Sequence, residues 1–185
     1  MQSSHDPKVA PRPRTLVHPG RFNPVRIQSM HSAAARHIRL ALKPGLSLFD
    51  ALVRPLSEEG VHSASTTILG GAFAELFYCV APPDPSGLAV VAYGKPINAG
   101  RAYMIFGNAT LGARIDGGPL VHCHAVIRTS GGAVKGGHIL PDRCIVGPEP
   151  ISVLVTTLDA FELRQALDPE TNIPLLQPHE GPRHD

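Results

Sequence analysis

Three histidines carry the clearest chemistry in this sequence. His122 and His124 stand two residues apart in the run LVHCHAVIR. On a strand, residues at that spacing leave the same face, about 6.6 Å apart. Both imidazoles can then tilt towards one ion at about 2.0–2.1 Å. Cys123 between them points the other way and is no co-ligand. His138 follows in KGGHIL on the next strand of the same hairpin, so register decides whether it joins the pair. An odd loop such as Ser130-Gly131-Gly132 sets Thr129 against Ala133 and brings His138 opposite His124. An even loop sends His138 opposite Cys123, on the wrong face, unless a bulge at Gly136-Gly137 restores parity. The competing reading is three half-buried histidines that hydrogen-bond one another and the backbone.

Three neutral imidazoles would leave an open coordination position, the feature that separates catalytic from structural zinc. Such an ion can polarise the carbonyl of a small oxo- or hydroxy-acid, or activate a water. Zinc is the first choice, and iron, manganese or nickel would also suit imidazole and water. Spacing alone identifies no catalytic acid, base or nucleophile. Gly70-Gly71 and Gly117-Gly118 lack the following Lys-Ser/Thr or helix start of a phosphate cradle, so neither pair is expected to hold a phosphate, and no cofactor-binding residue is assigned. Glu75 and Asp116 read equally as polar pocket groups or solvated strand ends. His37 and His62 sit at element edges. His5, His18, His31, His179 and His184 fall in the terminal regions, without a site role.

The elements that must position these side chains are mostly strands. Residues 37–42 alternate polar and apolar, the period of a strand. Leu48, Phe49, Leu52, Val53 and Leu56 then fall at helical spacing, with Ser47 as N-cap, Asp50 three residues on and Gly60 as stop. Pro55 removes a backbone bond and is expected to kink or shorten that helix. Residues 63–69 read as a strand. Residues 74–80 and 88–93 flank a Pro-Pro-Asp-Pro-Ser-Gly turn and read as a hairpin. Further strands are expected at 101–106, 109–115, 121–128, 133–140 and 151–158. Residues 159–167 imitate a helix cap but alternate like a strand, the preferred reading. One clear helix among some nine short strands makes an α+β protein built on antiparallel sheet.

At 185 residues and 43% apolar, the chain can bury a core of its own. No run approaches the roughly 18 apolar residues of a membrane span; the best, residues 151–158, is eight long and holds two threonines. Pro, Arg and His interrupt any signal-peptide core before Arg36, so a cytoplasmic location is expected. Cys79, Cys123 and Cys144 fit no metal-finger spacing and read as reduced, buried thiols. Residues 1–43 carry eight Lys and Arg against Asp6 alone, a net +7 that leaves −5 for the rest of a +2 chain. The expected layout is a basic extended arm over 1–34, a domain over 35–177 and a short tail over 178–185. Such an arm could contact phosphates, stay solvated or dock on an acidic neighbour, and the body offers no basic face.

The stretch GGPLVHCHAVIRTSGGAVKGGHIL, residues 117–140, resembles the signature of the plant-and-prokaryote-conserved (PPC) domain. Supporting segments are LKPGLSLFDAL at 42–52, STTILGGAF at 65–73 and FELRQALDPETNIPLL at 161–176. The resemblance covers roughly residues 36–177. It implies an α+β domain that assembles as a homotrimer with pockets between subunits, and a transition metal on His122, His124 and His138. The fold is also similar to that of acetolactate decarboxylase, a zinc enzyme with an H-x-H pair and a later histidine. Plant relatives join the domain to AT-hooks, and bacterial relatives commonly carry a provisional DNA-binding label. DNA is therefore the alternative partner to a small molecule. This chain departs from the hook pattern: its nearest match, Pro11-Arg12-Pro13-Arg14, has no glycine in the core.

Overall fold

The structure, a computed structural model, describes residues 16–26 and 28–180. Lys8, Arg12 and Arg14 of the arm, and His5 and His184, lie outside the described residues. The order is β1 (His37–Leu42), α1 (Leu48–Glu58), β2 (Ala64–Ile68), β3 (Gly71–Cys79), β4 (Ile97–Ala113), β5 (Pro119–Thr129), β6 (Val134–Ile139), a 3-10 turn (Pro141–Arg143), β7 (Ile145–Val146), β8 (Ile151–Thr157), β9 (Phe161–Asp168) and β10 (Ile173–Glu180). One helix against a mainly antiparallel sheet is the α+β architecture expected.

The strands run β1-β8-β2-β4-β5-β6-β3-β7, and β4 also pairs with β3. The ladders β3–β4, β4–β5, β5–β6 and β6–β3 therefore close a circuit, which fixes β5 and β6 from both sides. The hairpin β9–β10 joins at the far end of β4 through a parallel pairing of Ala113 with Arg164.

Alternation along β5 decides what faces inward. Val121, Cys123, Ala125 and Ile127 are buried, while His122, His124, Val126 and Arg128 lie on the other face. The core formed on the inner side includes Leu48, Leu52 and Leu56 of α1 with Val153, Met104 and Ile139. Ser47 caps α1 by accepting from the Asp50 backbone N–H, and its hydroxyl donates to the Asp50 carboxylate, each at 2.9 Å. The helix is not shortened at Pro55 and ends at Glu58.

Two sequence expectations need correction. Residues 101–106 and 109–115 belong to one strand, Ile97–Ala113, with a register shift between Met104 and Phe106 that absorbs the break in alternation. Residues 88–93 form no strand beyond a single bridge, Pro83 to Val91. The Asp84 carboxylate explains this, since it accepts from the N–H groups of Ser86, Leu88 and Ala89 that a ladder would need. The loop still returns along the end of β3, through Gly94 N–H to the Val80 carbonyl at 2.8 Å.

Candidate metal centre

His124 pairs directly with His138 across β5–β6, and His122 lies one alternation further along β5. The connection has the odd parity, with the Thr129 N–H donating to the Ala133 carbonyl at 2.9 Å. Ring centroids are 4.8 Å apart for His122–His124, 4.8 Å for His122–His138 and 5.5 Å for His124–His138. One nitrogen from each ring lies within 4.8 Å of the others. A tetrahedral ion at about 2.1 Å would set the nitrogens about 3.4 Å apart, closer than the 4.8 Å within which they lie.

The donor set fits such an ion on two counts. Burial, then the neighbouring His124, pushes the His122 pKa down; burial, then His122 and His124, pushes His138 down to about 4. Neutral imidazoles are what a metal requires. The Nδ1 atom of His138 is also buried without a hydrogen-bond partner, an arrangement that costs free energy unless a cation or ligand completes it.

No bulge was needed at Gly136-Gly137, because the β5–β6 register is regular. The glycines serve close approach: a Cβ on Gly137 would lie 2.4 Å from the Cys79 carbonyl oxygen, and one on Gly136 would lie 3.0 Å from that of Ala125. Two further side chains border the site. The ring of Tyr93 meets His138 edge-on at 5.1 Å. Asn108 pairs with His124 across β4–β5, and its amide donates to the Thr66 carbonyl at 3.1 Å. Strand pairing of 107–111 with 121–125 could have indicated Asn108, whereas Tyr93 sits on an irregular loop with no periodic signal.

The other candidates lie elsewhere. Glu75 accepts from Asn98, and Asp116 caps the β4–β5 turn through Gly118. His37 meets Thr156, and His62 is exposed. His18 does have a partner, the buried Glu170, at 2.7 Å. Cys79, Cys123 and Cys144 are all free and buried. No helix among the described residues is long and apolar enough to cross a membrane.

The fold defines a class: an antiparallel α+β domain that recurs in several solved structures. A plant- and prokaryote-conserved (PPC) protein from Pyrococcus horikoshii shares it at TM-score 0.58 and 18% identity, over 80% of this chain and 97% of that one. A metal-containing protein from Archaeoglobus fulgidus aligns at TM-score 0.63 and 19% identity, over 82% and 98%. A protein from Ralstonia eutropha, provisionally described as DNA-binding, aligns at TM-score 0.60 and 22% identity, over 75% and 88%. The chain thus has the PPC fold. No family model matches the sequence, and no curated protein matches it significantly.

Proposed function

We propose that this chain holds a divalent transition metal, zinc foremost, on His122, His124 and His138 and binds or acts on a small molecule there. The observation that carries the reading is the convergence of three imidazoles, one of which, His138, also has a buried and unpartnered Nδ1. The description of the Archaeoglobus fulgidus protein as metal-containing supports it. When bound, the ion would supply Lewis acidity to a carbonyl or water, as lyase or hydrolase chemistry on an oxo- or hydroxy-acid requires. The chain's own part is to favour the neutral rings of His122 and His138, to brace His138 with Tyr93 and to set Asn108 beside His124. Assembly as a homotrimer belongs to the same proposal, motivated by the basic arm, the acidic body and the resemblance. Metal analysis of untagged protein tests the site: about one ion per chain supports it, and none in wild type after incubation with zinc refutes it.

The DNA-binding alternative is weaker. Of the two described arm cations, Arg21 and Arg26, Arg26 is tied to Glu170 at 2.7 Å within the chain, and Arg36, just past the arm, pairs with Asp159 at 3.2 Å.

A further inference from the structure

Beside the histidines lies an open cleft of about 660 Å³ with an unusual lining. Val80, Val91, Tyr93, Phe106 and Val126 form its apolar walls, and no Lys, Arg, Asp or Glu is among the described residues that line it. Four of these walls are large hydrophobic side chains left uncovered by the chain: Val80 is 48% exposed, Tyr93 53%, Phe106 49% and Val126 43%. The strand registers explain the gathering. Val126 pairs with Phe106 on one side and Gly136 on the other, one alternation beyond the row Asn108–His124–His138. The small Gly136 leaves the floor open where a side chain would fill it.

Resting on the proposed metal site, we infer that the cleft selects ligands with an uncharged apolar body behind a hydroxyl-bearing chelating head. Among the described residues of one chain, no guanidinium or ammonium lines the cleft, so the metal is the one countercharge these residues would offer such a head. A second anionic group, such as a phosphate, would lie beside valine and aromatic carbon with no cationic partner among the described lining residues. Nucleotides and phosphorylated metabolites are therefore outside the class. Asn108 adds to the preference for a hydroxyl. Its Nδ2 is committed to the Thr66 carbonyl, which leaves Oδ1 to accept a hydrogen bond beside His124. The fitting class is a hydroxy- or oxo-acid, or an equivalent chelator, with a branched aliphatic or aromatic tail.

Hydroxamates test this directly, since the head stays constant while the tail varies. The full chain is loaded with cobalt(II), and acetohydroxamate, benzohydroxamate and phosphonoacetohydroxamate are titrated by visible absorption and calorimetry. Benzohydroxamate should bind at least about tenfold tighter than acetohydroxamate, as burial of a phenyl ring implies. The phosphonate should bind more weakly than either. Phe106→Ala, and separately the near-isosteric Val126→Thr, should bring benzohydroxamate towards the affinity of acetohydroxamate while cobalt stoichiometry is unchanged. A chain that takes up cobalt but binds all three equally, or prefers the phosphonate, overturns the inference alone. A chain that takes up no cobalt overturns the metal reading and this inference with it.

Discussion

His138 faces His124 across the β5–β6 ladder, their rings 5.5 Å apart and inclined at 81°. That pairing makes the third donor a consequence of hairpin parity. Replacement of His124 by alanine should leave the ladder intact, because the side chain is exposed and contributes little to the core. Metal content should nevertheless fall from about one ion per chain to trace levels. A ligand deletion should exceed the roughly 10- to 100-fold that outer-shell changes cost. Emission spectroscopy on dialysed wild type and His124→Ala decides the matter; equal metal in both would place the ion elsewhere.

The same crowding of imidazoles predicts a pH dependence for metal-free protein. His138 is held down at about 4 by burial and by its two neighbours, whereas an unfolded histidine titrates near 6.5. Above 6.5 it is neutral in both states and contributes no slope. Between 6.5 and 4 the unfolded chain takes up a proton that the folded chain refuses, so stability falls with falling pH. Urea unfolding in EDTA across this range should show the decline, and His138→Gln should flatten it. An unchanged slope in the variant would assign the decline to other groups.

Gly137 lies against the Cys79 carbonyl, and a methyl there would sit 2.4 Å from that oxygen. Backbone must move, and the short β3–β6 ladder of Tyr78–Ile139 and Cys79–His138 is what must give. Gly137→Ala should therefore cost about 2 kcal/mol or more and weaken metal binding, since His138 rides on the same pair. Gly131 is the control: its Cβ would meet nothing nearer than the Thr129 hydroxyl at 3.9 Å. Gly131→Ala should be near neutral by thermal unfolding and metal titration. Equal tolerance at both positions would show that β6 is less tightly held than its contacts imply.

The contrast between these glycines marks how far the sequence could be read. Period-two alternation showed the strands around His122, His124 and Ile151–Thr157, because one face of each must meet the core. Ser47 and Asp50 announced the helix start through capping chemistry that is local in the chain. Alternation alone allows both odd and even loops, since register depends on a turn whose conformation it does not fix. The strand at 88–93 failed because Asp84 diverts backbone donors, a preference that composition does not reveal. Tyr93 and Asn108 were missed for a related reason: they reach the site through a non-repeating loop and through the β4–β5 pairing.

Glu170, only 3% exposed, anchors the arm to the β9–β10 turn. Its carboxylate takes His18 at 2.7 Å, the Asn23 N–H at 2.9 Å and Arg26 at 2.7 Å. The His18 hydrogen bond, then the Asn23 N–H, hold its pKa below the ordinary 4.5. A depressed carboxyl adds stability that is present above 4.5 and lost as pH falls through its folded value. Glu170→Ala should release the arm at neutral pH, because His18, the Asn23 N–H and Arg26 lose their shared acceptor. Limited trypsin digestion should then cut at Arg21 and Arg26 faster than in wild type, with the domain core intact. Equal cleavage rates would mean that the arm is held by other contacts.

The two functional readings separate in a single pair of variants. If the arm binds duplex DNA, each neutralised phosphate releases counterions and affinity falls steeply with salt. Removal of residues 1–30 would then abolish binding and leave the metal content untouched. If the pocket is the working site, His124→Ala loses the metal and the small ligand, while the truncation has little effect on either. The second outcome is expected. Arg12 and Arg14 alternate with prolines and lack the glycine of a minor-groove hook, and Arg26 is engaged by Glu170 within the chain. Fluorescence anisotropy with an A·T-rich duplex at two salt concentrations, beside hydroxamate titration of the same proteins, measures both. Tight, salt-sensitive binding that disappears with residues 1–30 would reverse the ranking, because the charge would then be free to meet phosphate despite its partner at Glu170.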